Sequence, residues 1–552
     1  MASRELNSDR TFRFNAVVTA LLMGAGAASA TGIDVGNPDL KVRLDTTVRY
    51  TLGTRTEAQD PAILGNPGND ESDGKFKRGD IITNRLDLFS ELDVNYKNSF
   101  GARVSAAGWY DAAYSDQTVK PFAAPYTSSY YNNTYNSKVK RFNAGPSGEV
   151  LDAFVWGNLV LGEVPVNVKV GRHAVVWGEG LLLGAHAVSY SQAPVDGVKA
   201  SVSPGVETKE VFLPIGQVSA KAQVTSDLSV AGQYFFEWKN TRGPDGGTYF
   251  AGADTAQNVD RLWNPLLPAA AVPGQVLNRA AALQPGNTGN WGVMAKLNVP
   301  AIESTLGAYY RRFNDYQPSS VQSTIVPGGN STFRFVYPQD ITLYGLSFAR
   351  AIGPVSFGSE VSVRKNAALQ ASTIGADGLG PRGDTAHVVV NGIYLLPSTP
   401  LWDSGNLIVE MAYNRLLSVN TNPNQFKGEG YAGCPAGQSR VNGCSSKQFA
   451  QIAVNLTPAY YGVFPSWDVE VPISINYGLK GVSPNGGGGA ERALSWSLGL
   501  KGIYSAKHEF SLRYADIGAA TLYGPTGLIN GGRGAVAMTD RGWLSFTYKT
   551  SF

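Results

Sequence analysis

The chain has 552 residues, of which 43% are hydrophobic and 16% are charged, and its formal net charge is +3 at pH 7. The charged share lies well below the ~25% of a soluble domain, and no run of lysine and arginine points to a nucleic-acid partner. The 64 glycines and the 11% aromatic content instead favour lipid-facing strands bordered by aromatic girdles.

The first 30 residues predict a secretory signal. Three arginines precede a short apolar run at 16–27, and small residues at 28–30 supply a cleavage site. The apolar run is shorter than the ~20 residues that a spanning helix needs. We therefore expect a signal peptide at 1–30 and an exported mature chain at 31–552.

Strands with alternating polarity begin near residue 41. Lys41–Leu52 and Arg85–Lys97 each place apolar side chains on one face and charged side chains on the other. This pattern suits lipid on the outside and a polar lumen inside. The acidic residues Asp87 and Glu91 fall on the polar face, where we expect them to line the lumen wall.

The alternation breaks down between Gly171 and Gln217. Irregular backbone at membrane depth is tolerated only where it folds away from lipid, so we expect part of the segment 171–217 to fold into the lumen and narrow or plug it. The charged residues within it have two interpretations: they brace the inward fold by pairing with one another, or they contact the solute together with an aromatic ring. The candidates are Arg172, Trp177, Glu179, Asp196 and Lys199.

Seven long polar connections are predicted, and one of them carries the two cysteines. They span 53–84, 115–147, 240–289, 317–337, 366–384, 417–447 and 518–540. An exported chain passes through an oxidising compartment, so Cys434 and Cys444 are expected to form a disulfide. Zinc binding is the weaker alternative because zinc prefers four ligands. We expect neither a metal site nor a cofactor.

The final strand alternates up to Phe552, with Leu544, Phe546 and Tyr548 on the same face. In a bilayer, the last strand of a closed barrel must pair with the first, or its backbone amides face lipid without partners. The chain is therefore predicted to be all-β, a transmembrane antiparallel barrel of about 14–18 strands, located in the bacterial outer membrane.

Several short motifs resemble those of the domain of unknown function 1302 family. They are Asn84–Leu88, Gly101–Ser105, Trp109–Asp111, Leu151–Phe154, Gly171–His173, Trp177–Glu179 and Ala193–Asp196. The resemblance covers nearly the whole mature chain and is densest between residues 38 and 240. It implies a proteobacterial envelope protein whose genes lie beside those of a periplasmic carrier-like family and efflux-type permeases. That setting implies traffic of hydrophobic or lipid-like molecules, and no catalytic residue transfers from the family.

The sequence thus favours a non-enzymatic outer-membrane channel for small, hydrophobic or lipid-like solutes. Expected partners are the small-molecule solute, outer-membrane lipid and lipopolysaccharide, a periplasmic carrier and an inner-membrane permease, with no nucleic acid. One alternative is a structural or surface-interaction barrel that uses its tyrosine-rich loop at 126–135. Another is a lipid hydrolase at the membrane surface, for which His186 with Ser189 or Ser191 is the nearest catalytic pair.

Overall fold

The computed structural model describes residues 31–122, 126–264, 267–371 and 374–552. The predicted signal peptide lies outside these residues. Among the described residues, no helix is both long enough and apolar enough to cross a membrane.

Eighteen antiparallel strands form the main sheet. One of them, β15, is interrupted at Pro472 and is therefore present as two segments. The strands are β1 Leu40–Arg55, β2 Ile81–Tyr96, β3 Phe100–Asp111, β4 Ser147–Leu161, β5 Val164–His173, β6 Ile215–Gln223, β7 Leu228–Phe235, β8 Trp291–Val299, β9 Ser304–Phe313, β10 Ile341–Ile352, β11 Val355–Ala368, β12 Arg382–Leu395, β13 Ser404–Thr421, β14 Gln448–Phe464, β15 Trp467–Glu470 with Ile473–Lys480, β16 Leu494–Tyr504, β17 His508–Gly518 and β18 Trp543–Ser551.

The sheet closes on itself as the sequence predicts. Strand β18 pairs with β1 from Thr47 opposite Ser551 to Arg55 opposite Trp543. Beyond Ser551, the backbone N–H of Phe552 donates to Thr46 O at 2.9 Å and its carbonyl accepts from Thr46 N at 2.7 Å. The pairing leaves no free edge in the sheet, which is the condition for a barrel to exist in lipid.

The two faces of the strands differ in polarity. On β2, Leu88 and Leu92 are exposed on the outside, whereas Asp87 and Glu91 are buried on the inside. The same alternation continues around the barrel and gives an apolar outer band and a lumen lined with charged and amide side chains. The predicted wall assignment of β1 and β2 is therefore confirmed.

Connections at the two ends of the barrel differ in length. Short turns, together with the start of β1 and the end of β18, lie at one end. The other end carries nine longer loops at 56–80, 112–146, 174–214, 236–290, 314–340, 369–381, 422–447, 481–493 and 519–542. In bacterial barrels the short turns face the periplasm, which places the long loops outside the cell. All seven predicted connections are confirmed, and the structure adds the loop at 481–493.

The helical elements within these loops are short. The helices are Pro61–Leu64, Asp70–Gly74, Ser137–Val139, Gly197–Val202 and Thr208–Val211, with single turns at Ala112–Tyr114, Tyr131–Asn133, Lys140–Ala144, Pro273–Gln275, Pro423–Gln425, Arg440–Asn442 and Val536–Met538. One further turn, Pro300–Ile302, joins β8 to β9 at the opposite end of the barrel. The short strands in these loops are Arg261–Trp263, Val276–Arg279, Ser320–Thr324, Thr332–Val336, Ala520–Tyr523 and Ile529–Arg533. A further short strand, Thr31–Ile33, pairs with the start of β1.

Four of the external loops pack together around buried aromatic rings. The rings come from loops 56–80, 112–146, 236–290 and 314–340, and include Phe76, Tyr114, Tyr130, Tyr135, Trp238, Tyr249, Tyr316 and Phe333. Burial of this aromatic surface stabilises the loops as one folded unit, which we call the external cap. Tyr130 and Tyr135 belong to its interior, so much of the tyrosine-rich segment is used in packing.

The disulfide between Cys434 and Cys444 is formed, as predicted, with a Cα–Cα distance of 5.8 Å. It lies in the loop 422–447, beside the contact of Phe426 with Tyr431. The bridge therefore constrains one external loop and leaves the barrel wall independent of it.

Candidate solute path inside the barrel

The irregular part of the predicted inward segment is loop 174–214, which joins β5 to β6. The two ends of the segment 171–217 belong to the barrel wall, where Gly171 pairs with Gln217 and His173 pairs with Ile215. The loop contains the two helices Gly197–Val202 and Thr208–Val211 and little other regular structure.

Two buried wall carboxylates bind the backbone of the first half of this loop. Glu360 on β11 accepts from the N–H groups of 179–180 and, at 2.8 Å, from Val188. Glu410 on β13 accepts from all three N–H groups of 181–183 at 2.5–2.8 Å. A charged acceptor makes a stronger hydrogen bond than a neutral one, so these six contacts fix the loop against the wall.

Two buried guanidinium groups hold the carbonyl groups of the same stretch. Arg311 on β9 donates to the carbonyls of Val188, Tyr190 and Ser191 at 2.7–2.8 Å. Arg364 on β11 donates to the carbonyls at 185 and 187 at 2.9 and 3.0 Å. Polar backbone that would otherwise be buried without partners is thereby satisfied.

The second half of the loop contacts the opposite wall. Glu210 accepts two hydrogen bonds from Arg49 on β1, at 2.9 and 3.0 Å, and both side chains are fully buried. Ser203 donates to Asp87 on β2 at 2.8 Å. Strand β13 lies eight strands from β5 around the barrel, so the loop reaches from one wall to the other and crosses the lumen.

Three small cavities remain around the tip of the loop. Their volumes are about 300, 220 and 230 Å³. The backbone at 184–185 and the glycine-rich stretch 486–489 of loop 481–493 lie at the borders between them. Both stretches line the cavities of about 300 and 230 Å³, and we call the place where they face each other the constriction.

The predicted charge network among loop residues was wrong. Arg172 lies on β5 and pairs at 2.9 Å with Glu237 of loop 236–290. Glu179 pairs at 2.8 Å with Lys296 on β8. Neither charge therefore pairs with another charged residue of loop 174–214.

Asp196 and Lys199 are adjacent but do not form an ion pair. Asp196 caps the helix Gly197–Val202 by accepting from Lys199 N at 2.9 Å, and it binds Arg242 at 2.8 Å. The Lys199 ammonium is buried and lies 5.5 Å from the ring centre of Trp109.

Trp177 is packed in the present conformation. It is buried with Val188, Phe313 and Leu343 in a hydrophobic cluster between the loop and the wall. Gly292 on β8 makes room for it, since a Cβ there would lie 3.0 Å from Trp177 Cζ3. The ring therefore anchors the loop in this structure.

The two acids on β2 contact basic side chains. Asp87 binds Arg85 at 3.0 Å, and Glu91 lies 3.4 Å from Arg103. In the described part of the chain, carboxylates of Asp45, Glu91 and Asp93 lie close enough to share a cation. Arg103 already neutralises two of them.

The proposed hydrolase pair is not assembled. The ring nitrogens of His186 contact His387 Nδ1 and the carbonyl of Gly488, at 3.2 and 2.8 Å. Ser191 Oγ donates to Asp315 at 3.0 Å. A nucleophile and its base must lie within hydrogen-bond reach, and these two groups are engaged elsewhere.

The anchoring residues Glu360, Glu410, Arg311 and Arg364 were missed in the sequence analysis. Each is an isolated charged residue on the polar face of an alternating strand. Every residue that faces the lumen shows the same pattern, so the pattern does not distinguish the anchoring residues. Their contacts join positions about 120–230 residues apart, and no local pattern reveals such pairing.

A second charged cluster lies in the external cap, outside the membrane-spanning strands. Asp254 accepts from the backbone N–H groups of Glu71 and Ser72 at 3.0 and 2.8 Å, and Asp70 accepts from Phe122 N at 2.6 Å. Burial, followed by the charge of Asp254, raises the pKa of Asp70 and of Glu71 to about 7.

We expect the external cap to lose stability as the pH rises through about 7. The folded-state pKa of Asp70 and Glu71 lies above the unfolded value, so their contribution is present at low pH and lost when they ionise. Hydrogen exchange of 112–122, corrected for the intrinsic rate, should be slower at about pH 5.5 than at about pH 8.5. Glu71→Gln should weaken this dependence and Asp116→Asn, at an exposed position, should not. Equal protection at both pH values would contradict the prediction.

The closed strand pairing, the apolar outer band and the loop across the lumen define a β-barrel of the bacterial outer membrane. The chain belongs to the family described as "Protein of unknown function (DUF1302)", whose sequence profile matches residues 11–552. The resemblance noted in the sequence is thereby confirmed.

Solved structures of outer-membrane proteins align with most of the chain at low identity. OccD3 (OpdP) of Pseudomonas aeruginosa is 12% identical, with 95% of this chain and 93% of that chain covered and a TM-score of 0.39. OccAB1 of Acinetobacter baumannii is 11% identical, with 96% and 99% covered and a TM-score of 0.40. A BenF-like porin from Pseudomonas fluorescens Pf-5 is 9% identical, with 93% and 98% covered and a TM-score of 0.39. No curated protein matches the chain.

Proposed function

We propose that this protein is a passive channel that admits small solutes across the outer membrane, and that hydrophobic or lipid-like molecules are the solutes it selects. The observation that carries the proposal is the loop 174–214, which is fixed to both walls and leaves cavities of about 220–300 Å³. These volumes lie at or just below the lower end of ligand pockets, which span ~300–1,000 Å³. A filter for small molecules fits this geometry better than an open aqueous pore does.

The lining of the cavities supports an amphipathic solute. Leu182, Leu183 and Ile517 line the largest of the three cavities around the loop tip, and Val195 and Phe212 line another of the three. Polar groups accompany them, so a molecule with an apolar body and one polar end would satisfy both kinds of contact. A periplasmic carrier and an inner-membrane permease remain the proposed partners that would exchange such a solute with the channel.

Flux into liposomes tests the proposal. The purified protein is reconstituted, and entry of an N-acyl taurine, whose sulfonate keeps it from crossing lipid unaided, is compared with entry of a disaccharide. We expect the acyl taurine to enter faster than into empty liposomes and the disaccharide to enter at the rate of the empty control. Equal entry of both solutes would contradict the selectivity. No entry of either would contradict the channel and favour the surface-interaction barrel.

A further inference from the structure

Two histidines meet inside the barrel at the constriction. His186 lies in loop 174–214, and His387 lies on β12 with its side chain in the lumen. Their Nδ1 atoms are 3.2 Å apart, and both rings are fully buried. Phe449 on β14 covers His186, with 5.7 Å between the ring centres.

The other contacts of the two rings fix their protonation. His186 Nε2 faces the carbonyl of Gly488 at 2.8 Å, so this nitrogen carries the proton and His186 Nδ1 is an acceptor. His387 Nδ1 must then donate to it, which leaves His387 Nε2 to accept from the Thr385 hydroxyl at 2.9 Å. In this arrangement both imidazoles are neutral.

The chain of hydrogen bonds joins the two sides of the constriction. Gly488 belongs to loop 481–493, and His186 adjoins the backbone at 184–185 that faces it across the cavities. His387 ties both to the wall. Breaking the contact between the rings therefore frees His186, together with the Gly488 carbonyl that it binds, from the wall at β12.

The surroundings offer no compensation for an added proton. The charged group that faces both rings is Arg364 on β11, whose own neighbours are Tyr190, Asp315 and Glu360. Asn414 on β13 contributes a neutral amide, and Glu410 on the same strand is bound to the loop backbone at 181–183. Within the described residues, neither imidazole has a hydrogen bond to a carboxylate.

We propose that the pair of His186 and His387 is a proton-operated latch that holds the constriction closed at neutral pH and releases it on acidification. A proton added to His186 Nδ1 would place two donors 3.2 Å apart with no acceptor between them. A proton added to His387 Nε2 would place a buried positive charge beside the Arg364 guanidinium with no carboxylate to compensate it. Imidazole is the side chain that changes charge between about pH 5 and 8. The latch rests on the proposed function in one respect, namely that the constriction lies on the path of the solute.

Two readouts test the latch and keep it separable from the channel proposal. Single-channel conductance measures whether the path through the constriction opens. Labelling of Ala490→Cys, a buried position in loop 481–493, measures whether that loop is released. Both native cysteines are in the disulfide, so a pyridyl disulfide that reacts at acid pH labels the new thiol alone. We expect conductance and labelling to rise several-fold from about pH 7.5 to about pH 5.

The key variant is His387→Gln, because a glutamine amide can present either its N–H or its oxygen to His186 as protonation requires. We expect it to keep the neutral-pH conductance and lose the pH response, while His508→Gln, a histidine near the periplasmic end, should respond like the parent. A response that persists in His387→Gln, or no response of the parent in either readout, overturns the latch. Labelling that responds while conductance stays constant supports the latch and contradicts the placement of the solute path.

Discussion

Replacing both Glu360 and Glu410 with alanine is expected to convert the narrow lumen into a wide pore. The two carboxylates accept six backbone N–H groups of the loop, and hydrogen bonds to charged groups contribute ~1.5–3 kcal/mol each. Loss of even ~3 kcal/mol shifts the ratio of docked to released loop by more than about 100-fold. Single-channel conductance should rise, and liposomes should admit the disaccharide that we expect the parent to exclude.

The matched control is Glu470→Ala, which removes a carboxylate of β15 that binds Lys501 and not the loop. It should leave conductance and solute size limit close to the parent. A folded double variant with unchanged conductance would show that the loop stays in place without these carboxylates, and would contradict their anchoring role.

Replacing Arg49 with methionine is expected to cause the largest loss of stability among single substitutions at the site. The change leaves Glu210 buried without its partner, and breaking a buried ion pair in this way costs ~3–5 kcal/mol. The helix Thr208–Val211 should detach from β1, because Glu210 is its link to that strand. The midpoint of thermal unfolding in detergent measures the effect.

A double-mutant cycle and a solvent-exposed pair complete this test. Arg49→Met combined with Glu210→Met should be more stable than Arg49→Met alone, since the uncompensated charge is gone. Arg172→Met breaks the half-exposed pair with Glu237 and should cost only ~0–1 kcal/mol. Equal losses for Arg49→Met and Arg172→Met would contradict the importance of burial.

Much of the barrel could be predicted from the sequence because its signal is local. Alternation within Lys41–Leu52 reports the two faces of one strand, and the spacing of such segments reports the turns. The closure of β18 on β1 is long-range, yet it follows from the requirement that no strand edge face lipid. The disulfide was predictable because Cys434 and Cys444 have no competing partner in the chain.

The site could be predicted only in outline. The loss of alternation located the inward loop, but each charge within it looked available for pairing with its neighbours. The partners of Glu179 and Asp196 are instead Lys296 and Arg242, 117 and 46 residues away. The sequence offers Trp177 as a possible solute contact, but the structure packs its ring against Gly292 on β8. The sequence does not show that Gly292 lies beside this loop.

The way the wall binds the loop has a consequence for how the channel can change. Glu360, Glu410, Arg311 and Arg364 bind N–H and C=O groups of the main chain, and every residue type except proline offers both. Leu182 and Leu183, whose side chains line a cavity, can therefore be exchanged without removing any of these main-chain contacts. The main chain of this segment thus holds the loop in place, whereas these side chains line the solute path. Natural selection or protein engineering can therefore change the cavity lining while the loop keeps its position.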